Sequence, residues 1–443
     1  MTQQTQINKV EYPQVSELCD FRKGKKVNST KEKTKDSVPY LLIDTLRGAD
    51  PEFFTEDKNY TEAIPEDILI VADGANSGLV GTGVSGAVGS TILRIRLKVK
   101  DLDKDYLSYF LKSKFEEFNK DMKGTGIPHL KPKNMLESKI RKPSLSEQTL
   151  IVQEIEKQFT RLDASVKSLK SVKKKLEIYR KAVLKKAFKG ELVKNIYYNK
   201  NKLIDEIEEF NNKKSGQDKT RRLPNLSFDG LKNIPSNWFF INAHKVCSSV
   251  RDGTHDSPKY VEKGFPLVTS KNLKNGKLNF SKIDFISQKD YEEVLKRSQV
   301  EIGDILFAMI GTTGNPVEIK EAPNFAIKNV GLFKNKEQRF LLTSYLKYWL
   351  DSPNYLKILE SKKLIKGTTQ KFIDLGTLRI SPVPICSKEE QTLIVQEIES
   401  RFSVIDKIEQ VVNESLEKSE KLRKSILKSA FEGKLVKMEG VVE

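Results

Sequence analysis

The ten-residue stretch EQTLIVQEIE occurs twice in this chain, at residues 147–156 and again at residues 390–399. With the same interval of 243 residues, AFKGELVK (187–194) aligns with AFEGKLVK (430–437). A solenoid repeat has a period of about 20–50 residues, so this interval indicates one large unit that is present twice. A protein with two copies of one architecture tends to meet its partner with approximate two-fold symmetry, and DNA is a partner that displays such symmetry.

Each copy of the repeat has the sequence signals of a long helix. Residues 144–147 and 387–390 have the spacing of a capping box, and a proline lies shortly before each. Roughly 42 residues without proline or glycine follow, up to Gly190 in the first copy and Gly433 in the second. A glycine in the left-handed conformation would end each helix there.

Apolar residues recur every three or four positions along both predicted helices, which is typical of a coiled-coil seam. Each helix would be about 60 Å long, too long to bury its apolar stripe against one small lobe. We therefore expect the two helices to pair, although a single amphipathic helix packed on its own domain is an alternative. Lys173 and Arg180 interrupt the first seam. The expected seam residues are Val152, Ile155, Phe159, Leu162, Val166, Leu169, Leu176 and Val183, then Val395, Ile398, Phe402, Ile405, Ile408, Val412, Leu416, Leu422 and Ile426.

The rest of the chain predicts two lobes of the α+β class, each mixing helices and strands. In the first lobe we expect strands over residues 39–43, 67–73 and 90–99 and a helix over 106–118. The second lobe echoes the first only loosely, which suggests two lobes with different tasks. The predicted segments are lobe 1 (1–143), the first helix (144–193), a polar linker with a short helix at 202–210 (194–233), lobe 2 (234–386) and the second helix (387–437).

Composition favours a polyanionic partner. The chain has 443 residues, and 78 Lys and Arg outnumber 60 Asp and Glu, for a formal charge of +18. A surplus of this size favours nucleic acid over a membrane surface, although a soluble protein that is merely basic is the alternative.

Cysteine usage and the absence of targeting signals favour the cytoplasm. Cys19, Cys247 and Cys386 lie far apart and show no CxxC spacing, which fits a reducing compartment. The first residues lack an apolar core of a signal peptide, and no stretch approaches the roughly 18 apolar residues of a membrane span.

At this point the layout resembles the specificity subunit of a type I restriction–modification system over nearly the whole chain. The resemblance rests on the alternation of lobe and long helix, an EQ pair at each helix start, and the AFxGxLV tails. Lobe 2 also opens with IPSNW (234–238) and RDGTHDSP (251–258). Lobe 1 departs from this pattern, because it begins with YPQVSELCDFRKGKKV (12–27) and has no tryptophan. We therefore expect its start to be shortened or rearranged.

The resemblance implies a function for each part. Each lobe would be a target-recognition domain that reads one half of a split, asymmetric DNA sequence. The helices would pair antiparallel with pseudo-two-fold symmetry and set the gap between half-sites. Modification (methyltransferase) subunits, expected as a pair, would carry the S-adenosylmethionine chemistry, and restriction subunits would join them with ATP and Mg²⁺.

No cofactor and no catalysis are expected of this chain alone. It has no P-loop, no NPPF or NPPY motif, and three histidines that are not spaced as metal ligands.

Polar loops that contain glycine and lie next to basic residues are the best candidates for DNA contact, because backbone N–H groups can approach phosphates there. Ordinary solvated turns are the alternative. The candidates are Arg22, Lys23, Lys25, Lys26, Asn76, Ser77, Lys123, Gly124, Thr125, Gly126, His129 and Lys131 in lobe 1, and Arg251, Gly253, Thr254, His255, Ser270, Lys271, Thr312, Thr313, Lys366, Gly367, Thr368, Thr369 and Gln370 in lobe 2.

Two other functions stay open. A coiled-coil scaffold that joins two protein-binding lobes would have the same layout. An autonomous nuclease would use Asp304 with Glu318-Ile-Lys320, although Gly303 stands where proline is usual. The lysines between residues 170 and 186 could follow phosphates or face a partner subunit.

Overall fold

The computed structural model describes residues 10–74, 76–119, 130, 132–214, 234–256 and 258–436. The chain divides into two compact units. Unit 1 comprises Met1–Ser171 with Val412–Glu443, and unit 2 comprises Val172–Val411. Each unit therefore contains one lobe and a part of both long helices.

The described residues of lobe 1 form two four-stranded sheets flanked by short helices. Its elements are α1 (Val15–Leu18), β1 (Cys19–Lys23), β2 (Val38–Leu41), α2 (Ile43–Leu46), β3 (Phe54–Thr55), β4 (Glu62–Ala63), β5 (Ile68–Val71), β6 (Val80–Thr82), β7 (Gly86–Val88), β8 (Ile92–Leu97), α3 (Lys104–Ser113), α4 (Phe115–Asn119) and α5 (Pro132–Leu136). The three predicted strands are present as β2, β5 and β8, each shorter than expected. The helix predicted over 106–118 is divided between α3 and α4.

The first long helix, α6 (Leu145–Ala187), leads to α7 (Lys200–Lys214) within the predicted linker. Helix α7 is longer than the sequence suggested, and it packs in the core of unit 2. Ile207 is fully buried there, and the rings of Phe210 and Phe340 lie 5.5 Å apart.

Lobe 2 and the second long helix complete the chain. The elements are β9 (Phe239–Asn242), α8 (Ala243–Val246), β10 (Ser249–Asp252), β11 (Tyr260–Val261), β12 (Phe265–Thr269), a 3₁₀ turn (Ser270–Asn272), β13 (Leu273–Lys274), β14 (Lys277–Leu278), β15 (Asp284–Ile286), α9 (Gln288–Ser298), β16 (Ile305–Ala308), β17 (Gly314–Glu318), β18 (Ala326–Lys328), β19 (Val330–Lys334), α10 (Thr343–Asp351), α11 (Pro353–Ser361), α12 (Leu375–Ile380), β20 (Pro382–Ile385) and α13 (Lys388–Phe431).

The main antiparallel sheets of the two lobes have the same topology despite their divergent sequences. The antiparallel sheet β1-β8-β5-β6 of lobe 1 corresponds to β10-β19-β16-β17 of lobe 2. In each lobe a second sheet contains one parallel pair, β2 with β7 and β12 with β18. Strands buried on both faces, such as β5 (ILIV) and β16 (ILFA), read as continuous apolar runs.

The start of lobe 1 follows the same path as the start of lobe 2. Bridges from Glu11 to Lys142 and from Gln14 to Lys139 take the place of the β9–β20 pair, and α1 and β1 then correspond to α8 and β10. Residues 11–26 are therefore not rearranged relative to lobe 2, while a shortened start stays a prediction. What lobe 1 lacks is a counterpart of the buried Trp238.

The long helices begin and end as the repeat predicts, with one correction. Gly190 (φ +72°) and Gly433 (φ +74°) both have the left-handed conformation that ends a helix. At the helix starts, only the serine half of each capping box forms, from the backbone N–H of Glu147 to Ser144 Oγ (3.3 Å) and of Glu390 to Ser387 Oγ (3.2 Å). The glutamate side chain of the first helix instead contacts Arg141, and that of the second contacts Trp238.

Helices α6 and α13 contact each other in both units. In unit 1, Arg423 of α13 pairs with Asp163 and lies over the ring of Phe159, 4.3 Å from its centre. In unit 2, Arg180 of α6 pairs with Asp406 and lies 4.8 Å from the ring centre of Phe402. The early part of each helix thus meets the late part of the other, so the helices run antiparallel.

The burial of the expected seam is uneven. Val152, Ile155, Phe159, Leu162, Val183, Ile398, Ile405, Val412 and Ile426 are buried, whereas Val166, Leu169, Leu176, Val395, Phe402 and Leu416 are half-buried. The seam prediction is wrong for Ile408 and Leu422, which are 41% and 52% exposed. Arg180, which interrupts the apolar pattern, is itself part of the contact because its guanidinium covers an aromatic ring.

Candidate nucleic-acid interface

Four loops of lobe 2 are joined by a chain of hydrogen bonds. The N–H of Thr254 donates to Ile327 O (3.1 Å), and the N–H of Asn329 donates to Thr254 O (3.1 Å). Ser270 Oγ donates to Asn329 O (3.0 Å) and accepts from the N–H groups of Met309 (3.1 Å) and Ile310 (3.3 Å). The candidate segments 251–255 and 270–271 therefore lie beside the segment 309–313, which contains the candidates Thr312 and Thr313, although the three are far apart in the sequence.

The loop of residues 366–372 joins this group. Reciprocal backbone hydrogen bonds between Lys366 and Phe372 (2.9 and 2.8 Å) close the loop. Two more bonds attach it to the neighbouring loop, from Gly311 N–H to Lys371 O (2.9 Å) and from Ile373 N–H to Met309 O (2.9 Å). We call the segments 251–255, 270–271, 309–313 and 366–372 the loop cluster of lobe 2.

The loop cluster presents cations and polar side chains to solvent. The candidates Arg251, His255, Lys271, Thr312, Lys366, Gly367, Thr368, Thr369 and Gln370 are exposed, and Thr254, Ser270 and Thr313 are half-buried. Lys366 is paired with Asp374. The hydroxyl of Ser270 has a structural role, because its hydrogen bonds connect two loops.

A charged network holds the side chain of His255 at the edge of the loop cluster. Its Nε2 lies 2.9 Å from Oδ2 of the buried Asp252, and its Nδ1 lies 2.9 Å from Asn329 Oδ1. Arg297 pairs with the other oxygen of Asp252 at 2.8 Å, and the guanidinium of Arg251 donates to Arg297 O at 3.0 Å. The two side chains that contact this carboxylate, His255 and Arg297, also reach the surface.

Lobe 1 anchors its basic segment in the same way. The N–H of Gly24 donates to Ile92 O (2.8 Å) and that of Lys25 to Val88 O (3.0 Å), as Gly253 and Thr254 do in lobe 2. A Cβ on Gly24 would lie 2.1 Å from Gly89 O, and one on Gly253 would lie 2.3 Å from Ile327 O. This close backbone approach is why RKGKK (22–26) and RDGTH (251–255) share a glycine.

The lobe 1 candidates occupy less uniform positions. Arg22, Lys23, Lys25 and Lys26 are exposed, and Lys23 pairs with Asp73 at 2.8 Å. Ser77 is buried and donates to Ala72 O (3.1 Å), so its hydroxyl faces the lobe interior. Asn76 is half-buried and accepts from the guanidinium of Arg47. The candidates Lys123, Gly124, Thr125, Gly126, His129 and Lys131 lie outside the described residues.

Leu130, the described residue among these positions, makes the same backbone contact as its counterpart in lobe 2. Leu130 N–H donates to Ala72 O at 2.7 Å, as Ile373 does to Met309, and the repeat interval relates Leu130 to Ile373.

Sequence reasoning missed five residues near these loops: Arg47, Arg297, Lys328, Asn329 and Lys371. Lys371 follows Gln370 directly and could have been included from its position. Nothing in the sequence marks Asn329, because its left-handed conformation (φ +52°) appears only in the fold.

The EQ pairs attach each long helix to its lobe. Gln391 is fully buried; its amide donates to Phe340 O (2.9 Å) and Cys386 O (3.0 Å), and its carbonyl accepts from Leu342 N–H (2.9 Å). The preceding Glu390 accepts from the indole of Trp238 at 3.0 Å, and burial raises its carboxyl pKa above the ordinary value.

The pair in unit 1 does the same. Gln148 bonds to Asp101 O, Pro143 O and Asp103 N–H at 3.0, 2.8 and 2.7 Å. Glu147 pairs with Arg141 at 2.7 Å.

The AF tails attach each helix end to the opposite lobe. In unit 2, the ring of Phe188 at the end of α6 lies 5.2 Å from Tyr345 and 5.1 Å from Trp349. In unit 1, Phe431 at the end of α13 lies 5.1 Å from Tyr106 and 5.4 Å from Phe110. Each helix therefore starts on one lobe and ends in the core of the other.

The residues proposed for a nuclease have structural partners. Asp304 is fully buried, accepts from Glu301 N–H (2.8 Å) and pairs with Lys334 (2.9 Å). Burial raises its pKa, with Lys334 acting in the opposite direction. Glu318 accepts from Ser344 at 3.1 Å. Among the described residues, no group of three or more His, Cys, Asp or Glu side chains could hold a metal ion.

Comparison with known proteins identifies the class. The chain belongs to the family of the type I restriction modification DNA specificity domain, whose model matches residues 8–178 and 238–418. It is the DNA-specificity subunit of a type I restriction–modification system, a non-catalytic subunit with two target-recognition domains. Each matched stretch covers one lobe and most of the helix that follows it.

Individual relatives match over most of the chain. It is 25% identical to the EcoBI specificity subunit of Escherichia coli over 407 residues, 90% of this chain and 81% of the relative. It is 27% identical to the MjaVIII specificity subunit of Methanocaldococcus jannaschii over 433 residues, 96% of this chain and 92% of the relative. A chain from a structure of type I restriction–modification complex assembly has the same fold, with a TM-score of 0.65, 16% identity, and coverage of 96% of this chain and 98% of that one.

No helix within the described part of the chain is long and apolar enough to cross a membrane.

Proposed function

We propose that lobe 2 reads one half of a split DNA target through its loop cluster, and that lobe 1 reads the other half. The observation that carries this proposal is the convergence of four separate segments of lobe 2 on one surface. That surface includes exposed basic side chains together with threonine, glutamine and histidine side chains. Lysine and arginine can bind phosphates, while Thr and Gln can bond to base edges in the major groove.

For lobe 1 the same proposal rests on the equivalent backbone hydrogen bonds that hold RKGKK (22–26) in lobe 1 and RDGTH (251–255) in lobe 2. Its contacts would come from residues 22–26, from Arg47 with Asn76, and from the segment 123–131. The basic segments differ at three of five positions, where lobe 1 has Lys23, Lys25 and Lys26 and lobe 2 has Asp252, Thr254 and His255, so the two half-sites should differ as well. The target is therefore asymmetric.

The paired helices would set the gap between the half-sites. A helix of 43 residues rises about 64 Å at 1.5 Å per residue, which exceeds one DNA turn of about 34 Å. The Arg180 and Arg423 contacts on α6 and α13 would fix the register of this spacer. The lysines of α6 between residues 170 and 186 would lie near phosphates of the gap or near a partner.

A pair of modification (methyltransferase) subunits would bind to the helices. Val404, Ile408 and Val411 of α13 are 57%, 41% and 60% exposed, and their spacing places them on one helix face. An exposed apolar row of this kind is a surface that a partner can cover. S-adenosylmethionine would bind to those partners, and restriction subunits would add ATP and Mg²⁺.

We also propose a cytoplasmic location, since all three cysteines are buried free thiols.

Charge variants test the role of the loop cluster. The variants Lys366→Ala and Lys371→Ala should weaken DNA binding and lower the salt slope of log affinity by about 0.9 for each phosphate that is no longer neutralised. Lys388→Ala is the matched control, because it removes the same charge at the start of α13. Equal slopes for all three variants would argue against phosphate contact by this loop.

Exchange of lobe 2 tests the division of labour. A chimaera that carries lobe 2 of another specificity subunit, assembled with its modification subunits, should methylate adenines in a target with one altered half-site. Mapping of methylated adenines in the host genome measures this. A change in both half-sites would refute independent lobes, and DNA binding without sequence preference would favour the scaffold function.

A further inference from the structure

One residue outside the proposed DNA contacts directly connects two of the segments in the loop cluster. Asn329 is the single residue between β18 and β19, two strands that belong to different sheets. Its φ of +52° lies in the left-handed region, which asparagine, aspartate and glycine adopt more readily than other residues. The chain can change sheets within one residue because Asn329 accepts this conformation.

The backbone of Asn329 holds two loops. Its N–H donates to Thr254 O (3.1 Å), and its carbonyl accepts from Ser270 Oγ (3.0 Å). Ser270 in turn accepts from Met309 and Ile310, to which the loop 366–372 is attached. Movement of the Asn329 backbone would therefore reach every segment of the cluster.

The side chain of Asn329 has a separate contact. Its Oδ1 lies 2.9 Å from Nδ1 of His255, whose other nitrogen lies 2.9 Å from Asp252 Oδ2. The Asp252 side chain is 3% exposed and that of His255 is 58% exposed. The imidazole is thus held from both nitrogens by less exposed groups while its ring remains accessible to a ligand.

We propose that Asn329 is a positioning residue for base recognition by lobe 2. Its backbone fixes the relative placement of the loops, and its carboxamide fixes the ring of His255. This inference rests on the proposed function of the loop cluster. It adds that discrimination at one half-site depends on a residue that itself contacts no DNA.

The backbone and side-chain roles can be separated by substitution. Asn329→Gly keeps the left-handed conformation and the backbone hydrogen bonds but removes the side-chain oxygen that faces His255. Asn329→Asp keeps the backbone conformation and the side-chain contact, because aspartate tolerates the left-handed region and offers an oxygen to the imidazole of His255. Asn275→Gly is the matched control: Asn275 has φ +51° in the exposed turn between β13 and β14, outside the loop cluster.

The experiment measures methylation by the complex with its modification subunits on DNA libraries randomised at each half-site. We expect Asn329→Gly to lose about tenfold discrimination at one half-site, the amount that one well-placed base contact supplies, with the other half-site unchanged. Asn329→Asp should bind DNA more weakly because of its added charge but should keep its discrimination. His255→Ala should reproduce the Asn329→Gly profile, and the double variant should add nothing.

The outcomes separate this inference from the proposed function. A wild-type complex without preference at either half-site would refute the proposed function. A specific wild-type complex whose Asn329→Gly variant matches Asn275→Gly would show that Asn329 is only a turn residue. If Asn329→Gly does not fold, His255→Ala tests the inference instead. Full discrimination by His255→Ala would show that the contact between the Asn329 carboxamide and His255 does not support base recognition.

Discussion

Replacement of Gln391 should destabilise unit 2 strongly, although the residue contacts no ligand. The side chain is fully buried and satisfies three backbone groups, the carbonyls of Phe340 and Cys386 and the N–H of Leu342. In Gln391→Ala these groups lose their partners. Each buried group left without a hydrogen bond costs about 1–3 kcal/mol, and water that enters the vacated space recovers part of this. We therefore expect a loss of about 3 kcal/mol in the free energy of unfolding.

The chain offers a selective probe for this change. Its two tryptophans, Trp238 and Trp349, are both buried in unit 2, so tryptophan fluorescence during urea unfolding reports on that unit. With an m value of about 3 kcal/mol per molar urea, a loss of about 3 kcal/mol lowers the midpoint by about 1 M.

The control variant is Gln396→Ala, because Gln396 is an exposed glutamine on the same helix. It should change the free energy of unfolding by less than about 0.5 kcal/mol. If Gln391→Ala and Gln396→Ala unfold at the same urea concentration, the buried hydrogen bonds do not hold α13 to lobe 2, and the reasoning is wrong.

Three further predictions concern pH, register and spacing. Burial raises the pKa of the Glu390 carboxyl. The native state therefore binds this proton more tightly than the unfolded chain does. The free energy of unfolding of the wild type should increase as the pH falls through the native pKa towards the ordinary value of 4.5. Glu390→Gln should remove this part of the pH dependence, and identical differences between the urea midpoints at pH 7 and pH 5 in both proteins would contradict it. Arg180→Met should lower the free energy of unfolding by about 1 kcal/mol, because it removes an ion pair and the cation over the ring of Phe402. The loss should be smaller at high salt, which screens the ion pair. The control Lys181→Met removes the same charge from an exposed neighbouring residue and should have little effect in the same unfolding assay. Insertion of seven residues into both long helices adds about 10 Å to each helix. The gap between the half-sites of the methylated target should then lengthen by about three base pairs. An unaltered gap in a methylation map would exclude the helices as the spacer.

Much of the fold could be predicted because local signals repeat. The capping serines, the proline-free helical runs and the glycines at 190 and 433 act within a few residues, so the sequence predicts both long helices closely. The apolar runs of β5 and β16 likewise mark strands that are buried on both faces. The seam prediction is wrong at Ile408 and Leu422 because periodicity alone does not show which part of an apolar stripe faces the partner helix.

The candidate site could be predicted only as a set of loops. Glycine and basic residues identified most of the loop cluster, but the sequence gives no sign that Ser270 joins loops or that Ser77 faces inward. The sequence also does not reveal the roles of Gln148 and Gln391, because the EQ pair shows only as a repeated motif and most of its hydrogen-bond partners lie in distant segments.

The amino-acid sequence by itself determined that one unit occurs twice, that each copy ends in a long helix, and that the chain suits a polyanionic partner. These properties follow from local capping, periodicity and net charge, which do not depend on distant contacts. The tertiary structure decided which loops lie together, which polar groups are occupied inside the protein, and that each long helix begins on one lobe and ends in the other. These features depend on backbone hydrogen bonds and side-chain packing between residues far apart in the chain, and such contacts exist only once the chain has folded.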